Sequence, residues 1–113
     1  MHICYGYGIE ENLTWKQTLG DAWRQYEKTF PLLAQSRIDQ VSLECAGSRV
    51  PLEVLSLLEG KEIMVGVIDV ASNEIETPEA VAQLIRKAIK IVPADKILPC
   101  TNCGMVQIGR AHV

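Results

Sequence analysis

The sequence predicts an α/β chain of parallel strands joined by helices, and three observations carry that expectation. Short apolar runs alternate with stretches in which apolar residues recur every three or four positions. Each stretch between two runs is long enough to hold a helix, so successive strands run parallel through right-handed crossovers. Residues able to do chemistry gather at the C-terminal ends of the runs, where parallel sheets collect their functional groups.

The elements follow in order. Residues 1–5 read as the tail of a strand, and Gly6 and Gly8 open a loop. Thr14-Trp15-Lys16-Gln17 reads as a capping box. Trp15, Leu19, Ala22, Trp23, Tyr26 and Phe30 follow at helical spacing as one apolar face. That aromatic stripe is expected to be packing, because nothing polar is interleaved to hold a ligand. Pro31 ends this helix or starts a further turn through Leu32, Leu33 and Ala34. Residues 38–44 form a second strand bearing Glu44 at its end. Pro51 opens a helix buried through Leu52, Val54, Leu55 and Leu58 and stopped by Gly60. Ile63-Met64-Val65-Gly66-Val67-Ile68 is a strand covered on both faces, closed by Asp69. Thr77 caps a third helix with Pro78 in its first turn and Val81, Leu84, Ile85 and Ala88 inward. Residues 96–100 give a last strand. The order is β-α-β-α-β-α-β, without an internal repeat.

Composition bounds the function classes. The chain has 113 residues, 48% hydrophobic and 22% charged, which suits a globular unit and excludes a disordered one. A net charge of −3 supplies no attraction to nucleic acid or to an anionic membrane. No apolar run approaches the roughly 20 residues that span a bilayer, and no secretory pattern opens the chain. A soluble, cytoplasmic protein is expected, although strand–helix folds of this kind usually need a longer chain.

Cys4, Cys45, Cys100 and Cys103 are the sharpest chemical signal. Two disulfides are one option, but cytoplasmic cysteines more often bind metal or act in catalysis. His2 and Cys4 lie two apart on a strand and point to the same side. Glu44 from the next strand and Cys103 from the last complete a His-Cys-Glu-Cys set that suits tetrahedral zinc. Other readings stand beside this one. Glu44 reads equally as a solvated strand-end charge, and Cys45 as a small loop or core residue. Cys100-Thr101-Asn102-Cys103 is a single C-x-x-C, open to a redox dithiol or half a structural zinc site. Asp69 is either a catalytic carboxylate or an acceptor for loop N–H groups. Asn73, Glu74 and Glu76 are expected to face solvent.

Taken together, His2-Ile3-Cys4-Tyr5, Ser42-Leu43-Glu44, the Gly66-Val67-Ile68-Asp69 strand end and Asn102-Cys103-Gly104 resemble the cobalamin-independent methionine synthase family. The resemblance is to the C-terminal part of the catalytic barrel in its single-barrel form, and it spans residues 2–104. It implies a partial (β/α)8 TIM barrel, and it places the family's zinc ligands on His2, Cys4, Glu44 and Cys103. It further implies methyl transfer to the thiol of homocysteine, giving methionine, with Asp69 in the catalytic site. Glu44 is then the ligand expected to loosen when substrate enters. Where folate-using members carry Asp-Ile-His-Ser, this chain has Asp69-Val70-Ala71-Ser72. Ala71 has no titratable group to protonate a departing folate nitrogen. The donor is therefore a methyltetrahydrofolate or a methylcobamide on a corrinoid protein, and Ala71 favours the second. The alternatives are a zinc methyltransferase acting on another thiol such as coenzyme M, and a small zinc-stabilised binding module built on Cys100 and Cys103.

A complete barrel has eight strands and about 250 residues. Residues 1–106 are accordingly read as a C-terminal barrel fragment. Residues 107–113 do not continue the family pattern, and they resemble one reading frame of a sequencing adapter, so they are read as a non-native tail. A half barrel leaves strand edges uncovered. The isolated chain is expected to bind zinc weakly, to pack loosely or aggregate, and to lack methyltransferase activity.

Overall fold

Four strands, β1 (His2–Ile3), β2 (Gln40–Glu44), β3 (Glu62–Ile68) and β4 (Ile97–Thr101), form one sheet in the computed structural model, which describes residues 1–105. They lie in chain order β1-β2-β3-β4, and every neighbouring pair is parallel. The crossovers carry α1 (Glu10–Gln17) with α2 (Tyr26–Ala34), a 3-10 helix at Leu52–Leu58, and α3 (Pro78–Ala88) with a 3-10 turn at Ala94–Lys96. Sequential parallel strands with a helical return after each are the repeating unit of a (β/α)8 barrel. The stretch read as a non-native tail, 107–113, lies outside the described residues.

Strand alternation divides the sheet into two faces. Val41 and Leu43 of β2 and Ile63 and Val65 of β3 are buried under the helices with Phe30, Val54, Leu55, Leu58, Ala88 and Val92. The register sets His2 beside Ser42 and Met64 on the other face, and Glu44 beside Gly66 and Cys100. One face is thus an aliphatic core, and the other is small and polar. Between β3 and β4 the register slips, with Gly66 paired to Cys100 but Ile68 to Thr101. Val67 is the extra residue of a β-bulge, which bends a strand and adds local twist.

The single long helix expected from Trp15 to Phe30 is two helices. α1 begins at Glu10, so Thr14 lies inside it and forms no capping box. The chain leaves α1 and turns at Gly20 (φ +77°), a left-handed conformation that a helix cannot contain. α1 is docked onto the glycine loop by Lys16 Nζ, which donates to the Gly6 carbonyl at 2.5 Å, and by Asn12 Nδ2, which donates to the Tyr5 carbonyl at 2.8 Å. The aromatic residues still converge, but around Tyr5. Its ring centroid lies 5.8 Å from Trp15, 4.7 Å from Trp23 and 4.9 Å from Tyr26, and Tyr26 stacks on Phe30. Pro31 does not end α2, which gives up one backbone bond there and continues through Ala34.

The other elements deviate little. Residues 52–58 wind as a 3-10 helix with Pro51 just outside it, and Val54, Leu55 and Leu58 face inward as expected. Thr77 caps α3, its Oγ1 accepting the Ala80 N–H at 3.1 Å. Among the described residues no helix is long and apolar enough to cross a membrane.

Gly66 has the least freedom to change. A Cβ there would stand 2.3 Å from Asn102 Oδ1 and 2.9 Å from both Asn102 Cα and the Leu43 carbonyl oxygen. At Gly20 the same atom would meet nothing within 4 Å. Gly66→Ala is expected to cost about 3 kcal/mol of stability through forced overpacking. Gly20→Ala should cost only the left-handed strain, about 1 kcal/mol. Urea unfolding of the two variants, followed by circular dichroism, checks the order.

Candidate metal centre

His2 and Cys4 leave the first strand on one side, and Cys103 follows the last strand. In a flat sheet three strand spacings, about 14 Å, would separate them. Instead Cys4 Sγ and Cys103 Sγ are 4.0 Å apart. The ligand atoms of His2, Cys4 and Cys103 all lie within 4.8 Å of one another. Beyond β4 the chain turns, with Thr101 Oγ1 donating to the Cys103 carbonyl at 2.8 Å.

Asn102 sets that turn. Its side chain is fully buried, and Oδ1 accepts the backbone N–H groups of Cys45 at 3.1 Å and Ala46 at 3.3 Å. Its Nδ2 donates to the Ala46 carbonyl at 2.6 Å, and its own N–H donates to the Ile68 carbonyl at 3.0 Å. The loop after β2, the end of β3 and the turn after β4 are therefore held by one residue, in the space that Gly66 leaves open.

His2 is oriented by its strand neighbour. Nδ1 lies 3.0 Å from Ser42 Oγ, which leaves Nε2 directed away from that bond. Ser42 Oγ is also 3.9 Å from Cys100 Sγ. Cys100 thus touches Ser42 and stands apart from the group formed by His2, Cys4 and Cys103. His2, Ser42, Met64, Cys100 and Cys103 line a cavity of about 290 Å³ on the polar face.

Glu44 is only 2% exposed, which disposes of the solvated strand-end reading. The structure does not bring its carboxylate into the His2, Cys4 and Cys103 group. Oε1 accepts the Tyr5 N–H at 2.6 Å, and Oε2 accepts the Tyr7 hydroxyl. Burial first, then the hydrogen bond and charge of Glu44, push the Tyr7 phenol far above its ordinary value. It therefore stays protonated as a donor. Burial also raises the Cys4 thiol, to which the neighbouring Cys103 and Glu44 contribute. Cys45 behaves as the core residue expected: burial pushes its thiol up to about 12, and it packs against the aliphatic cluster.

Asp69 sits apart from the clustered ligands. Its Oδ1 accepts the Ala71 N–H at 2.8 Å, as the loop-acceptor reading anticipated, and its charge reaches Tyr7. Its own N–H donates to Glu76 Oε1 at 2.7 Å, so Glu76 is a loop tie where a solvent-facing residue was expected. Asn73 and Glu74 are exposed.

Three residues that shape the site carry no assignable task in the sequence. Ser42 was recoverable, since it lies two residues before Glu44 and so on the same strand face. Asn102 was visible as part of a motif, but its work depends on a contact with residues 56 and 57 positions away. Tyr7 lies in a glycine loop, where no periodicity speaks.

The residues present fit zinc. Two thiolates at Zn–S distances of about 2.3 Å in a tetrahedron stand roughly 3.8 Å apart, close to the 4.0 Å between Cys4 and Cys103. Imidazole with two thiolates is a borderline-soft donor set of the kind zinc prefers. The Ser42 contact supplies the second hydrogen bond that metal-binding histidines ordinarily make.

The family model described as the catalytic domain of the cobalamin-independent synthase matches residues 23–113. The chain is 30% identical over 112 residues to a methionine synthase from Saccharolobus solfataricus, covering 97% of this chain and 28% of that protein. It is 36% identical over 87 residues to a 2-hydroxypropyl-CoM lyase from Xanthobacter autotrophicus, covering 71% of this chain and 23% of the relative. A solved structure of a B12-independent methionine synthase from Shewanella sp. W3-18-1, in complex with selenomethionine, superposes with a TM-score of 0.89 at 59% identity. That match covers 97% of this chain and 32% of the solved one, and it shows the four strands to be part of a TIM barrel. The chain spans between about a quarter and a third of the length of these relatives. On the matched residues and the shared architecture, it belongs to the cobalamin-independent methionine synthase family.

Proposed function

We propose that this chain contributes the metal-binding side of a zinc-dependent methyltransferase that methylates the thiol of homocysteine to give methionine. The observation that carries the reading is the convergence of His2, Cys4 and Cys103 from opposite edges of the sheet. His2 through its imidazole and Cys4 and Cys103 through their sulfurs would hold the ion, with Glu44 beside them as a further ligand. Bound there, zinc supplies Lewis acidity that lowers the pKa of a substrate thiol, so that the sulfur nucleophile exists at neutral pH. The 290 Å³ cavity beside His2 and Cys103 offers room for that thiol. Ser42 fixes the imidazole, and Asn102 fixes the turn bearing Cys103. Asp69 is the carboxylate at the rim available to manage a proton on the donor side. The solved relative was obtained with selenomethionine, a close analogue of the proposed product, which supports the amino-acid thiol as acceptor. Four free cysteines suit a reducing, cytoplasmic setting.

A second reading has its own support. The likeness to a 2-hydroxypropyl-CoM lyase favours a coenzyme M-type thiol at the same ligands. The greater identity of the Shewanella methionine synthase, over nearly the whole chain, favours homocysteine. The donor is a methyltetrahydrofolate or a methylcobamide. Ala71, which cannot protonate a departing nitrogen, favours the corrinoid, whereas the cobalamin-independent names of the relatives favour the folate.

The 113-residue chain is expected to bind one zinc ion weakly, measured by competition with a chromophoric chelator. Cys4→Ser or Cys103→Ser should weaken binding at least about a hundredfold, while Cys100→Ser changes it by about twofold or less. Metal release by Cys100→Ser would instead establish the small-module reading. Homocysteine added to the cobalt-loaded chain should intensify the sulfur-to-metal absorption band, and homoserine should not. By itself the chain is expected to transfer no methyl group from either donor. In an enzyme carrying Ala71, methyltetrahydrofolate as sole donor should turn over far more slowly than in histidine-bearing members. A comparable rate would refute the preference for a corrinoid.

A further inference from the structure

We propose that two copies of the 113-residue chain close on one another into an eight-stranded barrel, β4 of each pairing in parallel with β1 of the other. The inference rests on the sheet alone and needs no metal. Three surfaces of one copy lie open, and a second copy fits all of them.

The first is the free side of β1. Ser42 N–H donates to the Met1 carbonyl at 2.7 Å, so strand alternation turns the backbone groups of His2 to the open side. Beside that edge runs a groove of about 940 Å³ walled by Ile3, Tyr5, Trp15, Leu32 and Leu33. Leu32 is 70% exposed, an unusual position for a leucine beside an unpaired strand. The second surface is the free side of β4, the other end of the sheet. The third is the face that carries His2, Ser42, Met64 and Leu98 in one row of the ladder. Leu98 is 40% exposed there, although barrel interiors are filled by layers of packed side chains.

The two edges face away from each other, so no single helix or loop covers both. A partner that does is itself a curved parallel sheet, with one edge like β1 and one like β4. A second copy meets that description by construction. The four strands share the architecture of a TIM barrel, and such a barrel closes on eight. Half a turn about the barrel axis carries each strand four places on and keeps every strand parallel. The two seams are then the same contact made twice, and a head-to-tail contact whose rotation closes stops at a ring. Closure removes the open edges that otherwise invite aggregation. Relatives of which this chain spans between about a quarter and a third have chain enough to supply the other strands themselves.

Sedimentation equilibrium of the 113-residue chain tests the proposal, with reductant and a chelator present so that neither a disulfide nor a shared ion links the copies. A discrete species of twice the chain mass is expected. A monomer that leaves its edges to some other partner, or an open series of larger species, overturns the proposal. Leu98→Lys sets a charge on the face that the two copies share, and is expected to weaken association at least about tenfold. Ile75, 86% exposed in the loop between β3 and α3, lies off both seams, so Ile75→Lys should change association by about twofold or less. An unchanged dimer in Leu98→Lys, or an equal loss in Ile75→Lys, overturns the proposal. If circular dichroism shows that Leu98→Lys does not fold, Leu32→Lys reads the β1 seam instead. Weaker association there supports the closed dimer, and unchanged association overturns it.

Discussion

A single buried amide holds the candidate site in register. Asn102 fits into the sheet only because Gly66 has no side chain, and from that position it bonds the loop after β2. The arrangement is demanding in both directions. A side chain at Gly66 would displace Asn102, and a residue unable to both donate and accept at position 102 would strand the polar groups of Cys45 and Ala46 in a dry interior. Unsatisfied groups of that kind cost about 1–3 kcal/mol each. Cys103 is covalently next to Asn102, so the precision of the amide becomes the precision of the thiol.

Sulfur and carboxylate groups crowd together around this anchor. Two sulfurs 4.0 Å apart and a carboxylate that is 2% exposed lie on one rim. Burial disfavours the ionised form of Cys4, and the charges of Cys103 and Glu44 add to it. Among the described residues the ion pairs Arg24–Glu27 and Arg86–Glu79 are both surface pairs, and neither approaches the rim. Lys16 is close, but its ammonium is turned to the Tyr7 and Trp23 rings and the Gly6 carbonyl. Glu44 is tied by two donors, as a buried polar group requires.

Much of this was legible in the sequence, and the limits have physical causes. Strand-end placement and the two-residue strand period are enough to bring His2, Cys4 and Cys103 to one face, because parallel topology dictates those positions. Thr77 and Pro78 mark the start of α3 by local chemistry alone, and Gly60 the stop of the second crossover. The helix expected from Trp15 to Phe30 failed because spacing records which residues are buried together and is silent on whether the backbone between them is continuous. Gly20, with its positive φ, breaks it, and the aromatic residues meet through Tyr5 instead. Glu44 was legible as a strand-end residue. The direction of its carboxylate depends on Tyr7, whose loop carries no repeating signal.

The aromatic cluster, which spacing alone marks as plain packing, proves to be the footing of the site. β1 contributes only His2–Ile3 to the ladder, pairing with Ser42 and Leu43. So short a strand is a weak platform for His2 and Cys4. Tyr5, the residue after Cys4, makes up the deficit. Its ring is buried against Trp23 and Tyr26, its hydroxyl donates to Gln25 Oε1 at 2.6 Å, and its N–H donates to Glu44 at 2.6 Å. The position of Cys4 is thus set from the helix side through an aromatic anchor, and that of Cys103 from the sheet side through a buried amide. The first of these anchors also ends on the Glu44 carboxylate, through the Tyr5 N–H. Packing of the first crossover and placement of His2, Cys4 and Cys103 are therefore one problem in this chain, solved by Tyr5 and Asn102.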